Sequence, residues 1–218
     1  MVKHKLYFDI LERRRLKILP GLEFLRQDYG FYLAGGTALA LQIKHRTSVD
    51  FDFYTPNEFD PKDLHKKIKR VFKQIVPVHM EEGTLMAAID DIEMSFFRYA
   101  YVLLKPLAKT EYIDLLSIED IAAMKIIAIV QRGTRRDFID IFYLLRRFSL
   151  GKLLKMTEKK YEVFNRYLGL RALTYFEDAE KDRSRRRINT FEKIEWESIK
   201  KEITETVDKY RKEHLPER

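Results

Sequence analysis

Cysteine is absent from the 218 residues, which excludes disulfides, thiolate metal sites and cysteine nucleophiles together and makes the cytoplasm the expected compartment. Glycine and proline are scarce, eight and six, so a long disordered tail is not expected. No run of roughly 18 apolar residues occurs. The N-terminal Met1-Val2-Lys3-His4-Lys5 meets Asp9 and Glu12 before a long apolar stretch can form, so neither a signal peptide nor a membrane span is expected. What remains is 45% apolar and 35% charged, the composition of an ordered globular chain long enough to bury a core. The 42 Lys and Arg against 34 Asp and Glu give a formal charge of +8. Such a charge attracts polyanions without naming one.

Along the chain, Leu11, Leu16, Leu19, Leu22 and Leu25 have helical spacing, interrupted at Pro20-Gly21. Phe31-Tyr32-Leu33-Ala34 is a short apolar run that ends on Gly35-Gly36 and is followed by the helix-forming stretch Thr37 to Ile43. The expected order is strand, glycine turn, helix. Val49-Asp50-Phe51-Asp52-Phe53-Tyr54 alternates apolar and acidic residues, predicting a strand with one acidic face. An amphipathic helix is predicted from Pro61 to Gln74, then strands at 75–80, 84–89 and 92–99, the last two joined by a tight turn at Asp90-Asp91. Ser117-Ile118-Glu119-Asp120 has the form of a capping box ahead of the apolar helix Ile121 to Gln131. Gly133 is expected to end that helix, and a second runs from Arg136 to Arg147. The rest reads as helices, the last from Glu192 to about Glu213. The composition places a boundary near Gly151, between an α+β part, residues 1–150, and a helical part, residues 151–218.

The chemistry is concentrated in two short stretches. A period of two puts Asp50 and Asp52 on one strand face, and paired carboxylates suit Mg²⁺ or Mn²⁺, whose shell water and phosphate complete. An isolated pair of this kind is equally a solvated strand face. Separated from Asp50-x-Asp52 by thirteen residues lie Gly35-Gly36, at a helix N-terminus where free N–H groups receive anions and glycine lets phosphate approach. Together these are complementary halves, N–H groups for phosphates and carboxylates for their metal. Arg46 and Ser48 lie between them, suited to phosphate contact or simply to loop solvation. Lys125, inside an apolar helix, needs an anion or a route to solvent. Asp137 and Asp140, at i and i+3, could serve the site or form an ion-pair cluster with Arg132, Arg135 and Arg136. Arg183, Arg185, Arg186 and Arg187 suit either RNA phosphates or a solvated helix end.

Leu33-Ala34-Gly35-Gly36-Thr37-Ala38-Leu39, His45 to Asp52, Lys125 and Arg136-Asp137-Phe138-Ile139-Asp140, in this order, resemble the AbiEii/AbiGii-type toxin branch of the nucleotidyltransferase superfamily. The resemblance implies an α+β, polymerase β-like fold, a mixed β-sheet flanked by helices, with a helical C-terminal part. It implies that Gly35-Gly36, with Thr37 in the same motif, holds a nucleoside triphosphate and that Asp50 and Asp52 bind the metal; Arg46 and Ser48 are the expected further phosphate contacts. Lys125 and Asp137 match the later family motifs. The implied function is transfer of NMP from NTP to a hydroxyl acceptor, RNA such as tRNA favoured, by a toxin with a cognate antitoxin. One departure stands out: Ser95 occupies the place of the superfamily's third carboxylate, with Glu93 two residues away on the same face. Two alternatives therefore stand beside transfer: a degenerate NTP- or RNA-binding protein, and a kinase-like phosphotransferase acting on a protein partner.

Overall fold

The Leu-rich start folds as a helix α1 (Arg13–Ile18), a 3-10 turn (Leu19–Leu22) containing Pro20-Gly21, and α2 (Glu23–Tyr29). Gly30, at φ +69°, closes α2 in the left-handed conformation that glycine adopts without strain. The chain then enters β1 (Tyr32–Ala34), buried at all three residues. The computed structural model describes residues 5–181 and 189–214, and it divides into two units, one formed by Met1–Val102 with Pro106–Ser117, the other by Leu103–Lys105 with Ile118–Arg218.

In the first unit β1 runs directly into α3 (Gly35–Ile43), so the helix begins on the glycine pair itself. After β2 (Phe51–Thr55) comes α4 (Pro61–Val71), whose N-terminus is fixed by Pro61 and by the Asp60 carboxylate accepting from Lys62 N–H at 2.8 Å. A meander of β3 (Ile75–Glu81), β4 (Thr84–Ile89) and β5 (Ile92–Arg98) follows. Asp90 and Asp91 both take positive φ in its second turn, as a two-residue hairpin requires. A two-residue strand β6 (Asp114–Leu115), which the sequence pattern did not reveal, completes the order β3-β4-β5-β2-β1-β6. The sheet is mixed, since β2 lies antiparallel to β1 and parallel to β5, and β6 is parallel to β1. Phe51, Phe53 and Phe96 are buried, with Phe53 and Phe96 stacked at 5.4 Å. Burying each such ring contributes about 1.5–3 kcal/mol, and this fixes which face of β2 turns inward.

The second unit is helical: α5 (Ile118–Gln131), α6 (Arg135–Leu145), α7 (Leu150–Lys160), α8 (Arg166–Ala172), α9 (Glu177–Lys181) and α10 (Trp196–His214). The units meet in sequence at Ser117, whereas composition suggested a boundary near Gly151. The physical reason is that the apolar α5 packs along α7 and α8, a partnership that residue composition does not disclose. Asp120 ties the Leu103–Lys105 segment into this unit. Its carboxylate accepts Leu104 N–H at 2.9 Å and Lys105 N–H at 3.1 Å, and meets Lys160 Nζ at 2.7 Å with both side chains wholly buried. The basic cluster Arg183, Arg185, Arg186 and Arg187 lies outside the described residues. Among the described residues no helix is long and apolar enough to cross a membrane.

Candidate active site

Because Phe51 and Phe53 fill the core, Asp52 and Tyr54 stand half-buried on the opposite face of β2. Asp52 is flanked across the sheet by Ala34 and Ser95, two small residues. Ala34 leads straight into Gly35, where φ is +64°. A Cβ there would lie only 2.6 Å from Asp52 Oδ2, so the carboxylate occupies space that a side chain would take. At Gly36 a Cβ would overlap Arg46 Nη2 and sit 3.4 Å from Ser48 Oγ. The glycine pair thus brings a helix N-terminus against a carboxylate, a guanidinium and a hydroxyl.

Thr37 locks the strand to this helix. Its buried hydroxyl donates to the Asp50 carbonyl and shares a hydrogen bond of 2.8 Å with Ser48 Oγ. Arg46 is 3% exposed and its Nη1 donates to the Thr47 carbonyl at 3.0 Å. Buried Arg15 on α1 donates from Nε to the Val49 carbonyl at 2.8 Å and pairs with Glu12 at 2.7 Å, which braces the approach to Asp50. Sequence reasoning did not single out Arg15, because one arginine in the run Arg13-Arg14-Arg15 carries no local mark of a contact 34 residues away. The structure therefore brings Gly35, Gly36, Thr37, Arg46, Ser48 and Asp52 together around the start of α3, whereas Asp50, expected on the same strand face as Asp52, lies one residue before β2 and is held through its backbone carbonyl.

Ser95 is the direct partner of Asp52 in the parallel β2–β5 register. Carrying that register one residue beyond the Phe51–Met94 pair puts Glu93, exposed, level with Asp50. Asp50 and Asp52, two residues apart with Asp52 against the glycine turn, carry the hard oxygen donors that would suit a divalent cation completing its shell with water and phosphate oxygens. Among the described residues no group of three or more His, Asp or Glu is placed to hold a metal alone.

Lys125 and Asp137 belong to the second unit, and there they find each other. Lys125 Nζ lies 2.9 Å from Asp137 Oδ1 and 2.7 Å from Asp140 Oδ2, and all three residues are buried. Arg132 Nε at 3.0 Å and the Thr134 hydroxyl at 2.7 Å also reach Asp137 Oδ2. Burial alone would raise the Asp137 carboxyl, but Lys125 and Arg132 outweigh it and hold the group well below the usual carboxylate range. Lys125 thus has the anionic partners that its apolar helix demands, and the i, i+3 acids are a shared counter-charge.

The nucleotidyl transferase AbiEii toxin family, a type IV toxin–antitoxin group, matches this chain over residues 17–110 and 99–217. The chain belongs to the AbiEii family. This AbiEii chain is 36% identical over 188 residues to the uncharacterized protein aq_aa25 of Aquifex aeolicus (strain VF5), covering 83% of this chain and 87% of that one. Among solved structures it is similar to an H. pylori protein assigned as a nucleotidyltransferase, with a TM-score of 0.59 at 16% identity over 93% of this chain and 97% of that one. It is also similar to MenT4, the nucleotidyltransferase toxin Rv2826c of Mycobacterium tuberculosis H37Rv, with a TM-score of 0.56 at 11% identity over 88% and 80%. At these identities the likeness is one of fold. With the mixed sheet and its flanking helices, it makes the AbiEii chain an α+β protein of the polymerase β-like nucleotidyltransferase fold.

Proposed function

We propose that this AbiEii-family chain transfers NMP from an NTP to a hydroxyl acceptor, RNA and particularly a tRNA 3′ end being favoured, as the toxin of a toxin–antitoxin pair. The observation that supports this reading is the meeting of Asp52 Oδ2 with Gly35 and of Arg46 and Ser48 with Gly36, a carboxylate, a guanidinium and a hydroxyl beside a helix N-terminus, the groups that a metal-bound triphosphate calls for. In it, the α3 N-terminus and Ser48 bind the β and γ phosphates, and Arg46 neutralises their charge. Asp50 and Asp52 would hold Mg²⁺ or Mn²⁺, which when bound polarises the phosphoryl oxygens and offsets developing negative charge. The acceptor oxygen attacks the α-phosphorus in line, its proton passes to solvent, and the bond to the bridging oxygen breaks to release pyrophosphate. In the second unit Asp137 and Asp140 orient the Lys125 ammonium, a positioning role. The +8 net charge supports a polyanionic acceptor.

A second reading rests on Ser95. With a hydroxyl where a third carboxylate would pair with Asp52, the chain would bind NTP or RNA without transferring anything. The two readings separate in one experiment, in which wild type, Asp50→Asn and Asp52→Asn are incubated with each α-³²P-NTP, Mg²⁺ or Mn²⁺, and total RNA. Transfer predicts label in RNA for wild type and a loss of at least about a hundredfold in either variant, because metal-borne charge stabilisation is worth several kcal/mol. Nucleotide binding with no labelled product from wild type would favour the binding protein instead.

A further inference from the structure

The face of the sheet that carries Asp52 also carries a row of aromatic side chains that the reaction chemistry does not use. In the β2–β5 register Asp52 is beside Ser95, and the next pair on that face is Tyr54 beside Phe97. Their ring centroids are 5.4 Å apart. Tyr54 meets Tyr99 at 5.2 Å, and Tyr99 meets Tyr101 at 4.8 Å. The backbone of Tyr99 continues the ladder by donating to Thr55 O at 2.7 Å, which holds the row to the sheet. Unlike Phe53 and Phe96, which are closed off on the opposite face, Tyr54, Phe97 and Tyr99 are half-buried and Tyr101 is 48% exposed. The row therefore begins next to the carboxylates and ends in solvent.

We propose that Tyr54, Phe97, Tyr99 and Tyr101 form a stacking platform for the bases of a single-stranded nucleic acid that leads to Asp50 and Asp52. Every base has a π-face, so rings in a row bind single strands with little regard to sequence. Successive centroid steps of about 5 Å extend beyond one base, which fits an oligonucleotide better than a free nucleotide. The net charge of +8 matches the strand's phosphates. The direction of the strand, toward the carboxylates, rests on the transfer reading above; the stacking does not.

The test is fluorescence anisotropy with the full chain and three labelled probes: a short single-stranded RNA, the same ribose-phosphate backbone without bases, and an RNA duplex of equal length. The platform predicts that the single strand binds at least about fivefold more tightly than the abasic backbone. Tyr101→Ala should remove about fivefold or more of that affinity and leave abasic binding unchanged, while Tyr101→Trp should retain it. Tyr101 is half exposed, so both variants should melt like wild type, and a thermal scan checks this. Equal binding of RNA and abasic backbone, preference for the duplex, or equal losses in Tyr101→Ala and Tyr101→Trp would each overturn the proposal. Base-dependent binding without α-label transfer would remove the transferase reading and keep the platform; transfer with base-independent binding would do the reverse.

Discussion

At Gly35 two constraints fall on one position, a φ of +64° and an Asp52 oxygen 2.6 Å from where a Cβ would stand. An alanine there is disfavoured by about 1–2 kcal/mol from the backbone alone, and it must also push the carboxylate from its place. Gly35→Ala is therefore expected to lower the urea midpoint and to reduce α-label transfer more than the fall in folded protein explains. An unchanged midpoint with wild-type transfer would refute the tight approach. The glycine pair was legible because it is a local pattern with a backbone consequence; of the Asp50-x-Asp52 stretch only Asp52 lies in β2, which begins at Phe51, so the expected strand face holds one of the two acids. Ser95 was marked by the family resemblance, and alternation along its strand assigns its face. Arg15 was not, because its bond to the Val49 carbonyl depends on where α1 packs, and the sequence near Arg15 holds no trace of that. The aromatic row was hidden differently. Tyr54 and Phe97 are ordinary strand residues until the register of β2 against β5 pairs them, and Tyr99 and Tyr101, past the end of β5, join them through ring contacts that no local pattern marks.

Among the elements, α5 and α6 are joined by charge as well as by apolar packing. Lys125, Arg132 and Thr134 all reach Asp137, and the folded-state pKa of this carboxyl is depressed below its ordinary value of 3.8. A depressed acid contributes stability that is fully present above its unfolded pKa and is lost as pH falls through the folded one. Chemical denaturation is thus expected to show stability falling steadily below about pH 4, with a shallower fall in Asp137→Asn. That variant should also lose about 3–5 kcal/mol at neutral pH, since it leaves the buried Lys125 short of a counter-charge. A slope below pH 4 equal to that of wild type would argue against the network. The sequence signalled that Lys125 needed an anion and placed Asp137 and Asp140 on one helix. It held no comparable sign of the Asp120–Lys160 pair, whose members are 40 residues apart and wholly buried. The hairpin at Asp90-Asp91 was legible from its turn residues, while β6, two residues long, is too short for any period to mark. The division at Ser117 escaped notice because it is defined by which helices α5 packs against.

For the whole molecule, the AbiEii family match spans nearly the full chain, and the fold is shared with nucleotidyltransferases at 11–16% identity, so the scaffold tolerates wide change in sequence. On this scaffold the chain carries a net positive charge, a glycine pair against Asp52, Arg46 and Ser48, and Ser95 beside Asp52. The central claim is that the α-phosphate is the group transferred. The most direct measurement gives wild type the same NTP in two parallel reactions, one labelled at the α-phosphate and one at the γ-phosphate, with RNA, Mg²⁺ or Mn²⁺, and separates RNA and protein from free label. Nucleotidyl transfer predicts α-label in RNA, with γ-label recovered only in pyrophosphate. γ-label joined to RNA or protein, with α-label left in the nucleoside diphosphate, would contradict it and identify a kinase.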